Sequence, residues 1–132
     1  MSWRVTFEIY GEDFKPNEVD FNFSEKNEPN DICRVGRLKG EPYKYGSASY
    51  QVPKYIDRDL LFKHLADTFE PMLDELKCAG AESWHIEIDR LYYAQCNEEL
   101  SPDEITQIAR LKCSVSYSAY AVSEEEEIKG FK

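Results

Sequence analysis

Apolar side chains recur at every second position in several stretches of this chain and at helical spacing in others. Trp3, Val5, Phe7 and Ile9 alternate with Arg4, Thr6 and Glu8, the signature of a half-buried strand that Gly11 ends. Trp84, Ile86, Ile88, Arg90 and Tyr92 alternate with His85, Glu87, Asp89, Leu91 and Tyr93, which predicts a second, longer strand. Leu111, Cys113, Val115, Tyr117, Ala119 and Ala121 alternate with polar neighbours and predict a final strand. The segment Ser47 to Val52 predicts another, stopped by Pro53. Two weaker signals are Val19, Phe21 and Phe23, an alternation that predicts a short strand, and Ile32 to Val35. Asn27 to Asp31 is rich in Asn, Asp and Pro and predicts a loop.

Helical spacing appears where Leu61, Leu65, Phe69 and Leu73 repeat every four residues, with Leu60, Met72 and Leu76 widening the stripe. The helix is expected to begin near Asp57 or Asp59 and to break at Pro71, which has no amide hydrogen to donate. It restarts there and ends at Gly80. His64 falls to the side of the apolar stripe, as a boundary or surface residue. Ser101-Pro102-Asp103-Glu104 is the strongest local signal. Ser101 can accept from the first-turn amides, Pro102 suits the first helical position and Glu104 can reach back to the Ser101 amide. A short helix to about Arg110 follows, with Ile105, Ile108 and Ala109 expected on its inner face.

Strands followed by a broken helix, a strand, a short helix and a strand predict an α+β domain. Its expected form is a single twisted, mainly antiparallel sheet, with the broken long helix and the short helix packed on one face. Residues 1–122 form that domain, and residues 123–132 are expected to be an acidic, frayed tail because the run Glu124–Glu127 repels itself.

Charge changes the picture next. The chain of 132 residues carries 16 Lys and Arg against 26 Asp and Glu, a formal net charge of −10. General nucleic-acid binding is disfavoured, because the phosphate backbone rewards positive surfaces. No apolar run is long enough for a membrane span, and the first residues have no secretory pattern, so a cytoplasmic protein is expected. The charge is uneven. Residues 1–31 carry −5, residues 32–55 carry +4 and residues 56–132 carry −9. Arg34, Arg37 and Lys39 in the basic insert are either a solvated loop or a small anion site. Tyr43, Tyr45, Tyr50 and Tyr55 lie within or near it, and their expected role is packing at the core edge rather than base stacking.

Chemistry-bearing motifs are sparse. Cys33, Cys78, Cys96 and Cys113 form no close pair and have no metal-ligand spacing to His64 or His85, which fits a reducing compartment without disulfides. Cys113 fits a small buried hydrophobe. His85, Glu87 and Asp89 share one face of a strand. Such a trio can orient a base or hold a metal, but the favoured reading is a solvated sheet face, and neither a metal nor another cofactor is expected. No nucleophile, base and electrophilic stabiliser can be named together, so no enzymatic activity is expected.

The segment Gly11-Glu12-Asp13-Phe14-Lys15-Pro16-Asn17-Glu18-Val19 resembles the G-x-D-F-x-P-x-E-I opening of DUF4279, a bacterial family of small domains of unknown function. Gly36 with Lys39-Gly40, the Ser/Tyr strand at 47–50, the break at Phe69-Glu70-Pro71 and the Leu100-Ser101-Pro102 turn are similar in order, over roughly residues 4–121. The resemblance implies a fold and no catalytic residues. The functional expectation that follows is an immunity protein, an acidic cytosolic domain that binds and blocks a basic, nuclease-type bacterial toxin. Its expected contacts are Glu12, Asp13, Glu18, Asp20, Glu87, Asp89, Glu98 and Glu99. The alternative is a small-molecule or peptide-binding module that uses Arg34, Arg37 and Lys39 as an anion site.

Overall fold

The computed structural model describes residues 3–131. Trp3–Gly11 forms β1, buried at every odd position and half-buried at every even one, as the alternation demands. Glu25–Asn27 is β2, Gly46–Gln51 is β3, Ser83–Tyr92 is β4 and Ser114–Ala121 is β5. They make one sheet in the order β2-β3-β1-β4-β5. All neighbours are antiparallel except β4 and β5, which run parallel. A parallel pair needs a crossover, and the helix α3, Pro102–Arg110, lies in it.

The helical layer matches the expected break. A single 3-10 turn at Arg58–Leu60 leads into α1, Leu61–Phe69. Pro71 sits in a second 3-10 turn, Glu70–Met72, and the chain resumes as α2, Leu73–Cys78. The buried stripe of α1 is Leu61, Phe62, Leu65, Ala66 and Phe69, while Leu60 lies outside the helix and is exposed. Val5, Phe7, Ile9, Ile86 and Ile88 of the sheet meet this stripe in one core, and the Phe7 and Phe69 rings stack at 4.4 Å. In α3, Ser101 Oγ accepts from the Glu104 amide at 3.1 Å and the Ser101 amide donates to Glu104 Oε1 at 3.0 Å. Only Ile108 of the expected inner face is buried. Ile105 and Ala109 are exposed, because α3 packs its edge rather than a broad face on the body.

Two glycines mark close backbone approaches at one end of the sheet. A Cβ on Gly46 would stand 1.7 Å from the Phe14 carbonyl oxygen. Gly80 ends α2 with φ of +104°, and a Cβ there would lie 2.5 Å from the Asp13 carbonyl oxygen. The first contact holds the turn after β1 against the start of β3, and the second holds it against the exit of α2, where the Lys15 amide donates to Ala79 O at 2.9 Å.

Three weaker expectations are corrected. Val19, Phe21 and Phe23 form no strand; the pairing strand is Glu25–Asn27. They make consecutive three-residue turns instead, with Phe21 N donating to Val19 O and Phe23 N to Phe21 O, which alternate side chains much as a strand does. Ile32 contributes one isolated bridge to Pro42 rather than a strand. The Glu124–Glu127 run does not fray but begins a helix, α4, Glu124–Lys129, whose first turn is capped by Ser123 Oγ accepting from the Glu126 amide. Four carboxylates at a helix N-terminus meet the positive end of its dipole, which offsets part of their repulsion. Among the described residues no helix is long and apolar enough to cross a membrane.

Candidate functional site

The second face of the sheet carries no layer of helices. Its strands present Glu25 and Asn27 from β2, Ser47, Ser49 and Gln51 from β3, and Arg4, Thr6, Glu8 and Tyr10 from β1. β4 adds His85, Glu87 and Asp89, and β5 adds Ser114, Ser116, Ser118 and Tyr120. These positions share a face because strand side chains alternate and the register sets Glu8 opposite both Ser49 and His85. Serines flank the face on either side and carboxylates occupy its middle. A shallow groove of about 500 Å³ runs over Arg4, Glu8, Glu25, Ser49, Glu87 and Asp89.

Two electrostatic arrangements occupy this face. At one end Arg4 donates through Nε and Nη2 to Asp89 Oδ2, at 3.3 and 3.1 Å. Asp89 is the one buried charged residue among those described, at 4% exposure, and that bond compensates its burial. The Phe131 ring lies 4.4 Å from the Arg4 guanidinium, so the chain after α4 closes this end of the face. The Tyr93 amide donates to Glu127, tying α4 to the end of β4.

At the centre, ligand atoms of Glu8, His85 and Glu87 all lie within 4.8 Å of one another. His85 Nε2 is 3.2 Å from Glu8 Oε2, and the Tyr10 hydroxyl donates to the same oxygen at 2.6 Å. The Tyr10 ring stacks on His85 at 5.7 Å, with 11° between their planes. Burial and the hydrogen bond to Glu8 hold the Tyr10 phenol above its ordinary pKa, so it stays a donor. Glu87 is raised as well, by burial first and then by the charge of Glu8 and a hydrogen bond to it, with Asp89 adding to the effect and His85 opposing it. Among the described residues no Lys or Arg forms an ion pair with Glu8 or Glu87. An imidazole and two carboxylates at this spacing are a donor set for a cation and a rigid patch of negative charge.

No family model matches the chain, and neither a curated protein nor a solved structure matches it. The site therefore rests on its geometry.

The residues expected from the sequence fall in different places. Glu87 and Asp89 are on the uncovered face, half-buried and buried respectively, rather than on the fully solvated face expected of them. Glu12, Asp13, Glu18 and Asp20 are exposed at the sheet end beside α2, where the Glu12 amide donates to Glu82 at 2.9 Å. Glu98 belongs to the opposite side of the sheet, accepting from the Trp3 indole at 2.9 Å and pairing with Arg90 at 2.9 Å. Glu99 is exposed in the same loop. The eight carboxylates are thus not one patch.

Arg34, Arg37 and Lys39 are exposed on a loop folded back on itself, with Tyr43 N donating to Asp31 O and Cys33 N to Glu41 O, both at 2.8 Å. Of the three, only Arg34 lines the adjacent groove of about 730 Å³, together with the carboxylates of Glu25 and Asp31, so that groove is not a basic pocket. Tyr50 packs against Phe21 and Phe69 and shares a 2.8 Å hydrogen bond with His64, while Tyr55 is 82% exposed. All four cysteines are free, and burial pushes the Cys113 thiol up to about 11.

Glu8, Tyr10 and Glu25 were absent from the expected contacts. Glu8 and Tyr10 lie on the polar side of an alternation plain in the sequence, but their meeting with His85 and Glu87 depends on which strands pair and in what register.

Proposed function

We propose that the protein is an acidic binding domain of the immunity type, which blocks a basic, nuclease-class toxin by docking its uncovered sheet face. The observation that supports this most is the face itself. One side of the five-stranded sheet lacks a helical layer; its middle holds Glu8, Glu87 and Asp89, its β2 edge adds Glu25, and Arg4 is the one Lys or Arg among them. The acidic α4 borders one end. Such a surface steers a basic partner toward it, and its backbone rigidity limits the entropy lost on binding. Compared with the expected contact set, this reading keeps Glu87 and Asp89, adds Glu8 and Glu25, and leaves Glu12, Asp13, Glu18, Asp20, Glu98 and Glu99 outside the central contact.

Co-expression tests the reading. The polypeptide encoded beside this gene is produced with and without the protein. Protection of the host together with a purified complex is the expected result, and the absence of both refutes the proposal.

A further inference from the structure

We propose that Glu8, His85 and Glu87 form a binding site for a divalent first-row transition-metal cation on the uncovered sheet face. This goes beyond the docking role and stands or falls without any protein partner.

The ligand types fit. One imidazole nitrogen and two carboxylates suit zinc, cobalt, manganese or iron, whereas calcium prefers six or more oxygens, many of them from backbone carbonyls. The spacing fits as well. Ligand bonds of about 2.1 Å around a tetrahedral ion put neighbouring donor atoms roughly 3.4 Å apart. The Glu8–His85 pair already stands at 3.2 Å, and the widest separation in the set is within 4.8 Å, so a small rotation of Glu87 closes it. All three donors come from two hydrogen-bonded strands, with Glu8 directly opposite His85 and Thr6 opposite Glu87, so the frame is rigid before any ion arrives.

The surroundings point the same way. The Tyr10 hydroxyl holds Glu8 Oε2 at 2.6 Å, and its ring backs the His85 imidazole, which orients two of the three ligands from outside the donor set. Independently of ligand geometry, no Lys or Arg among the described residues neutralises the two carboxylates, and the basic group recorded against them is the His85 imidazole itself. The nearest guanidinium on the face, Arg4, is committed to Asp89, and no Lys or Arg among the described residues pairs with Glu8 or Glu87. Two carboxylates facing each other in a half-buried groove carry a repulsion that a bound cation removes. The open groove above them leaves the remaining coordination positions to water.

The test is titration of chelator-treated full-length protein with cobalt(II), read by visible absorption and by proton NMR. Expected are ligand-field bands of nitrogen and oxygen coordination at micromolar cobalt, with paramagnetic shifts at His85 and none at His64, the chain's other histidine. His85→Gln and Glu8→Gln should each weaken binding tenfold or more, with Glu12→Gln unchanged as the control. Where either site variant fails to fold, the His85-against-His64 contrast in the native protein decides. Absence of binding at millimolar cobalt overturns the proposal. So does affinity unaffected by His85→Gln, or a thiolate charge-transfer band showing that the free cysteines hold the metal.

Discussion

Replacing Glu87 with Gln should stabilise the protein. In the native chain the Glu87 carboxyl faces Glu8 across at most 4.8 Å, with Asp89 adding a third negative group on the same strand face. Two unit charges at that separation repel by about 1 kcal/mol in water and about 3 kcal/mol at an effective dielectric constant of about 20. The groove is open to solvent, so screening brings the expected gain at neutral pH to about 1 kcal/mol. For a chain of this length that is a rise in Tm of about 3–4 °C. Gln keeps the shape, and its amide can donate to Glu8.

The pH dependence carries the sign. Because burial and Glu8 raise the Glu87 pKa in the fold, the stability of the protonated carboxyl is complete below the unfolded value of about 4.3 and is lost as pH rises through the raised folded value. Glu87→Gln should therefore match the wild type near the acid end of that window and exceed it at neutral pH. The assay is thermal and urea unfolding of both proteins across that range, in chelator so that no bound cation masks the repulsion. A destabilised variant at neutral pH, or a gain of equal size at both ends, would refute the reasoning.

Arg4 and Asp89 should respond unequally. Arg4→Met leaves a buried carboxylate without its partner and should cost about 1–3 kcal/mol in urea unfolding, more than Asp89→Asn, which leaves a partly exposed guanidinium free to hydrate. Ser101→Ala removes the acceptor that caps α3 and should lower unfolding free energy by about 0.5–2 kcal/mol, with Ser101→Gly costing less. Gly46→Ala drives a Cβ into the Phe14 carbonyl and should cost about 1–3 kcal/mol or more, seen as a lower Tm with unchanged far-ultraviolet circular dichroism at low temperature.

The sequence carried its long elements openly because burial there repeats for many residues. β1 alternates in burial over its whole length and β4 through its centre, and Pro71 breaks the helix at the residue where the amide is missing. The Ser101–Glu104 cap is a local bond pair and needs no tertiary information. Val19, Phe21 and Phe23 misled, since consecutive three-residue turns impose the same period as a strand while the Phe21 ring packs beside Tyr50 and Phe69. The glutamate run misled in the other direction, because its repulsion is offset by the Ser123 cap and by the tie of Glu127 to the Tyr93 amide, which only the fold provides. The site was half legible. His85 and Glu87 announced a shared face, but Glu8 lies 77 positions before His85 and only the β1–β4 register sets them opposite. A register depends on which strands pair across the sheet, and no local pattern in the chain encodes that choice.

The uncovered face is the proposed docking surface, and one affinity comparison tests it directly. The affinity for the polypeptide encoded beside this gene is measured by calorimetry for the wild type, for Glu8→Gln with Glu25→Gln, and for Glu12→Gln with Glu99→Gln. The face predicts a loss of tenfold or more for the first pair, a weaker salt dependence of its association rate, and near wild-type affinity for the second pair. Unchanged binding of the first pair, with loss in the second, would place the docking surface elsewhere and contradict the account.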